Sequence, residues 1–231
     1  MSGARGRKLG LLTIGQAPRT DMQAVLDAHI PSDTECLHRG LLDGLTLAQI
    51  EQGFGMEPGE ALLTSRLRDA QSVQMSARKV HAALPGAITD LEDAGCDVVL
   101  LLCTGSFSAL SARKAWLVLP DQIIPPAVTG LAGQRQVGLI VPLPEQIASE
   151  QHKWRALAKV PIAQSATPYL PGGSQRVREA AQALCEQGAQ LLVLDCMGYQ
   201  EAHRQAAIEG SKGLPVLLSN ALMAKLTAEL L

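Results

Sequence analysis

Neither sign of charge prevails in this chain, and charge as a whole is sparse. Only 18% of its 231 residues are charged and the formal net charge is −2, so no basic surface stands ready to neutralise phosphates and no nucleic-acid partner is expected. There is no acidic tail either. Long apolar runs are also missing: the stretch from Leu9 to Ile14 is far short of the roughly 20 residues a bilayer span needs, and no small-residue cleavage pattern follows it. The expectation is a cytoplasmic protein with no membrane partner. The five cysteines, at positions 36, 96, 103, 185 and 196, form no C-x-x-C pair and no spacing with histidine that suggests zinc. They are expected to be free thiols in a reducing compartment, with no metal bound. Gly172-Gly173-Ser174 lacks both the lysine of a P-loop and the spacing of a dinucleotide fingerprint, and reads as a turn and helix start.

What the chain does have is apolar material. At 47% hydrophobic residues it can bury a substantial core, as one large domain or two small ones. Lys8 to Ile14 reads as a strand, ending in the loop Gly15-Gln16-Ala17-Pro18-Arg19 before a helix from about Asp21 to Ala28. Ser76 to Asp93 has the period of an amphipathic helix that Pro85 must begin, bend or interrupt, and Gly95 stops it. Val98 to Leu102 lacks alternation, as a parallel strand covered on both faces does. Beyond Pro125-Pro126 a second unit begins. Val137 to Val141 is its first strand, Glu145 to Leu157 a helix, Pro161 to Ala166 a weaker strand, Ser174 to Glu186 a helix and Leu191 to Leu194 a buried strand. Leu214 to Leu218 and Ser219 to Leu231 close the chain as strand and helix.

The two halves echo each other. Leu91-Glu92-Asp93-Ala94-Gly95 leads to Cys103-Thr104-Gly105, and Leu184-Cys185-Glu186-Gln187-Gly188 leads to Cys196-Met197-Gly198, with each cysteine eight positions after its glycine. Ligands of open parallel sheets bind beyond the carboxyl ends of the strands, and Cys103 and Cys196 both sit there. A helix starting just after each would offer unpaired N–H groups to a carboxylate and would favour a thiolate. Two such thiols suit inversion at a carbon beside a carboxylate: one removes the proton and the other returns a proton to the opposite face. Buried cysteine is often only a small hydrophobe, which is the reading for Cys36, Cys96 and Cys185.

Leu-Leu-Leu-Cys-Thr-Gly at 100 to 105 and Val-Leu-Asp-Cys-Met-Gly-Tyr at 193 to 199 resemble the two cysteine motifs of the aspartate/glutamate/hydantoin racemase superfamily. Leu-Thr-Ile-Gly-Gln-Ala-Pro-Arg at 12 to 19, Ser-Ala-Arg-Lys-Val at 76 to 80 and Val-Leu-Leu-Ser-Asn at 216 to 220 look like the AroM family within it. The resemblance implies an α/β fold of two pseudo-symmetric flavodoxin-like lobes with parallel sheets and an inter-lobe cleft. The expected division is 1–121, with 214–231 returning to it, and 122–213. It also implies a racemase or isomerase that needs no cofactor and moves a proton at the carbon next to a carboxylate of a small molecule. A cysteine-dependent decarboxylase or lyase and a catalytically inert small-molecule sensor are the alternatives. A homodimer or higher homo-oligomer fits the superfamily.

Carried over residue by residue, Cys103 resembles the first-lobe catalytic cysteine and Cys196 the second-lobe one, with Thr104, Gly105, Met197 and Gly198 lining the carboxylate site through their backbone. Met197 stands where many relatives have a small or hydroxylated residue, and Asp195 where they often have glycine. The first loop offers Gly15, Gln16 and Arg19 in place of the Asp-Ser pair of glutamate racemases. Arg19 has the guanidinium fork that suits a carboxylate, or it is a solvated surface arginine. Arg78, in the helix from Ser76, is a further binding candidate beside the reading that it faces solvent. Tyr199 either reaches the pocket rim or packs with a satisfied phenol. His203 either adjusts the Cys196 thiol or is an exposed histidine. Ser219 and Asn220 either donate to a ligand or cap the last helix.

Overall fold

The aliphatic runs without alternation become the central strands of two parallel sheets, because only a strand covered on both faces can be apolar at every position. The structure, a computed structural model, describes residues 6–107 and 109–231, with the side chains of residues 149–151 left aside. Two compact units result, one of residues up to Leu119 with Ala224–Leu231, the other of Pro120–Met223.

The first unit runs β1 (Lys8–Thr13), α1 (Gln23–His29), β2 (Glu35–Gly40), α2 (Leu47–Phe54), β3 (Leu62–Arg66), β4 (Ser72–Ser76), α3 (Ala77–Asp93), β5 (Val98–Leu101) and β6 (Trp116–Val118). Its parallel sheet has the order β2-β1-β5-β6, and β3 and β4 form a separate antiparallel hairpin. Leu12, Val99 and Leu101 from the sheet and Val80, Leu84, Ile88 and Leu91 from α3 share one core. The second unit runs α4 (Pro120–Ala132), β7 (Val137–Val141), α5 (Ile147–Lys153), β8 (Ile162–Ser165), α6 (Gly173–Glu186), β9 (Leu191–Leu194), α7 (Glu201–Gly210), β10 (Val216–Leu218) and α8, which starts at Ser219 and ends at Ala228. Its sheet has the order β8-β7-β9-β10, also parallel. Each lobe therefore places its four parallel strands as second, first, third, fourth, the doubly wound arrangement of flavodoxin-like domains.

The internal echo extends to hydrogen bonds. Gly95 and Gly188, at φ +85° and +92°, end α3 and α6 in the left-handed conformation. Behind them Cys96 N–H donates to Leu91 C=O and Ala189 N–H to Leu184 C=O, each at 3.0 Å, the six-to-one bond of a Schellman cap.

Three expectations are corrected. Val216–Leu218 pairs with Leu192–Leu194, so the strand of the segment 214–231 completes the second sheet, while Ala224–Leu231 falls with the first unit. Pro125 and Pro126 lie inside α4 and do not open the second unit, because burial of Ile124, Pro125 and Val128 offsets the missing backbone bonds. Pro85 likewise sits within a helix continuous from Ala77 to Asp93, where burial of Leu84, Ala87 and Ile88 does the same. Among the described residues, no helix is long and apolar enough to cross a membrane.

Candidate active site

In each sheet the connections change direction between the first and third strands, β1 and β5 in one lobe and β7 and β9 in the other. The crevice beyond the carboxyl ends of such a pair is where open α/β sheets bind ligands. Cys103 follows β5 and Cys196 follows β9, so both thiols stand at this position in their own lobe. The residue before each is tied to the neighbouring first strand: Leu102 N–H donates to Leu12 C=O at 2.7 Å, and Asp195 N–H to Ile140 C=O at 2.9 Å. The chain then turns so that the N–H two residues on meets the sulfur. Gly105 N–H lies 3.4 Å from Cys103 Sγ, and Gly198 N–H lies 3.4 Å from Cys196 Sγ. An N–H aimed at sulfur favours its thiolate form.

Around Cys196 every residue from Leu191 to Tyr199 is buried. The hydroxyl of Tyr169, on the loop after β8, lies 3.2 Å from Cys196 Sγ. Its ring covers the Gly198 backbone so closely that a Cβ there would stand 2.4 Å from the ring carbon Cε1. Asp195 accepts from the Lys153 ammonium, from the Trp154 indole N–H at 3.1 Å and from the Ser219 hydroxyl at 3.0 Å. The Asn220 amide donates to Met197 C=O at 3.0 Å and to Tyr199 C=O at 2.6 Å. Tyr199 donates to Ala166 C=O at 2.8 Å. Burial first, and then the charges that Cys196, Tyr169 and Asp195 carry when ionised, push its phenol well above its ordinary range, which keeps it a donor.

His203 is buried, and its Nδ1 accepts the Gln200 N–H at 2.9 Å while the ring sits edge-on to Tyr199. Burial lowers its pKa, so it is a neutral structural imidazole at neutral pH and not the exposed histidine that was the alternative. Around Cys103 the packing is looser. Cys103, Thr104 and Gly105 are half-buried, and Phe107 is fully buried with His81 at a ring distance of 4.9 Å. Glu92, at the end of α3, fixes the far end of this loop through Lys114 N–H, Ala115 N–H and the Arg113 guanidinium. Burial opposes its charge, but the backbone donors 113–115 and the Arg113 side chain outweigh that and hold its pKa at about 2. Among the described residues, no group of three or more His, Cys, Asp or Glu could hold a metal ion.

The sequence profile of the AroM protein family matches residues 9–231. The chain belongs to the AroM family. No curated protein matches the sequence. Among solved structures, the Picrophilus torridus aspartate racemase is similar at TM-score 0.61 and 13% identity, over 97% of this chain and 95% of that one. The allantoin racemase from Klebsiella pneumoniae is similar at TM-score 0.62 and 16% identity, covering 97% and 87%. An unliganded arylmalonate decarboxylase is similar at TM-score 0.56 and 15% identity, covering 97% and 92%. At these identities the likeness is one of fold.

Within this AroM chain the other expected site residues occupy different settings. Met197, Gly198, Tyr199, Ser219 and Asn220 gather around Cys196, but Ser219, Asn220 and Tyr199 act on the loop itself and hold its carbonyls and carboxylate in place. Gly15, Gln16 and Arg19 form a knot with the β3–β4 hairpin. A Cβ on Gly15 would stand 2.4 Å from Arg66 C=O, and the Gln16 amide is spent on Leu42 C=O, Leu45 C=O and Arg68 N–H. Arg19 is buried and donates two bonds to Asp21, at 2.8 and 2.6 Å. It lines a pocket of about 380 Å³ with Arg66 and Arg68, and Cys103 is not part of that lining. Arg78 is exposed and pairs with Glu57 and Glu60 at the surface. Sequence reasoning missed Tyr169, Lys153 and Trp154. Tyr169 had one visible signal, its place just after a strand end, and Lys153 had another, since a carboxylate at Asp195 beside a buried cysteine demands a cation.

Proposed function

We propose that this protein is a racemase or isomerase that needs no cofactor, acting on a small carboxylate-bearing molecule with Cys103 and Cys196 as acid and base. The observation that carries the reading is the repeated setting of the thiols: strand end, tie to the first strand, and an N–H two residues on aimed at sulfur, in both lobes. Nothing in packing alone requires the same thiol twice. Cys96, by contrast, is buried in the core and its pKa is raised by burial, which leaves it inert.

In the reaction, one thiolate takes the proton from the carbon next to the carboxylate. The S–H bond forms, the C–H bond breaks and its electron pair spreads into the carboxylate, whose charge is met by backbone N–H groups. The second thiol returns a proton to the other face, and its sulfur becomes the thiolate. The reading requires both thiols to reach one carbon from opposite faces.

A second reading is a decarboxylase in which one thiol protonates a carbanion. The unequal environments favour it: Cys196 is 9% exposed and under a tyrosine hydroxyl, whereas Cys103 is half-buried. Proton NMR in D2O on pooled chiral carboxylic acids, amino acids and hydantoins separates the two. Loss of an α-proton signal supports carbon-acid chemistry with inversion; carbon dioxide release from malonate-type acids without α-proton exchange in any pool overturns it in favour of decarboxylation.

A further inference from the structure

Resting on the reading that Cys196 moves a proton, we infer that Tyr169 is the hydrogen-bond donor that holds Cys196 as a thiolate, making it a third member of the proton-transfer machinery. Two separate features carry this. The hydroxyl stands 3.2 Å from the sulfur, a hydrogen-bonding distance for so large an acceptor. The loop also leaves room for the ring: Tyr169 Cε1, Cζ and Oη would lie 2.4, 2.6 and 2.6 Å from a Cβ at position 198, so a side chain there would displace the phenol from its place beside the sulfur. Tyr169 is in turn steadied from its own loop, where its N–H donates to Thr167 Oγ1 at 3.3 Å.

The sulfur therefore meets the Gly198 N–H and the Tyr169 O–H. Donors to the charged form lower the pKa of an acid, and a phenol is a stronger donor than an amide. In the resting state the O–H points at the thiolate. When Cys196 takes the substrate proton, the new S–H bond replaces that interaction and the phenol keeps its own proton, so no net charge is left on Tyr169. On the reverse stroke the O–H takes up the returning thiolate. Tyr199 cannot substitute, because its hydroxyl is committed to Ala166 C=O.

The test is the ultraviolet thiolate titration of Cys196, read as the difference between each protein and the same protein with Cys196→Ser. It is run for the wild type and for Tyr169→Phe, which keeps the ring against Gly198 and removes only the oxygen. Tyr169→Phe is expected to raise the Cys196 titration midpoint by roughly one pH unit, while the Cys103 titration, read against Cys103→Ser, stays in place. An unchanged Cys196 midpoint, or an equal shift at both thiols, overturns the assignment. Should Tyr169→Phe fold poorly, Thr167→Ala, which loosens the tyrosine loop and leaves the phenol intact, gives a smaller upward shift at Cys196 alone; a downward shift or none overturns it. The titration needs no substrate. A shift with no exchange in the NMR pools sinks the proposed function and keeps the pairing; exchange without a shift does the reverse.

Discussion

The Lys153 ammonium and the Asp195 carboxylate form an ion pair whose side chains are 6% and 1% exposed. This pair neutralises a charge that the chain places directly before Cys196, where a bare carboxylate would oppose thiolate formation. Removing one partner from a buried pair leaves the other charged and uncompensated, at a cost of about 3–5 kcal/mol. Lys153→Met is therefore expected to lower Tm by about 6–20 °C, the size of shift such a loss gives in a chain of this length. Adding Asp195→Asn removes the stranded charge and recovers most of the loss. Thermal denaturation of the two variants checks this, and a Lys153→Met protein with wild-type Tm would show that the pair is not buried in solution.

Gly198→Ala drives a Cβ into the Tyr169 ring. Overpacking of this kind costs about 1–3 kcal/mol. The same substitution in a Tyr169→Ala background no longer meets the three ring atoms that stand nearest to that Cβ, so its penalty is expected to shrink there. Denaturant unfolding of the four proteins of this cycle measures the coupling, and equal penalties in both backgrounds would mean that ring and glycine are not in contact.

Glu92 contributes in acid. Its folded pKa of about 2 lies below the ordinary 4.5, so its stabilisation is present above pH 4.5 and is lost as the pH falls from there toward 2. Glu92→Gln, which cannot be charged, is expected to lower Tm by roughly 2–4 °C at pH 7. The gap between the two proteins should narrow across that acid window. A gap that stays constant down to pH 2 would show that the carboxylate charge is not what fixes residues 113–115.

His203 acts with the opposite group type but in the same direction of pH. Burial lowers its folded pKa below the ordinary 6.5, so the unfolded chain binds the proton first and stability falls as the pH drops through 6.5. His203→Asn keeps an acceptor for the Gln200 N–H and removes the titration. Its unfolding free energy should vary less with pH between 7 and 5 than that of the wild type, and parallel curves would refute the assignment.

Much of this architecture was legible in the sequence because it is written in local pattern. Val98–Leu101, Val137–Val141 and Leu191–Leu194 are aliphatic without alternation, and that alone marks covered parallel strands. The paired intervals from Gly95 to Cys103 and from Gly188 to Cys196 marked the duplication, and both glycines do terminate helices. What stayed hidden is held together over long sequence distance. Glu35–Gly40 pairs with β1 although it carries a histidine and an arginine, because an edge strand has less to bury. Lys153 and Asp195 are brought together by the fold across 42 positions, and Tyr169 and Cys196 across 27; no periodicity records either pairing. The Arg19–Asp21 ion pair is hidden for another reason, since an acid two positions on, at the start of a helix, reads as a helix-start residue and not as a partner of the arginine.

The central claim is that two thiols share one proton transfer, and enantiomer-resolved exchange in D2O tests it most directly. Once a responding compound is found, each enantiomer is incubated separately with the wild type, Cys103→Ala and Cys196→Ala. Each single variant should lose inversion, by at least about a hundredfold, while Cys103→Ala retains solvent exchange at the α-carbon of one enantiomer and Cys196→Ala that of the other. Inversion at the wild-type rate in both single variants would contradict the account.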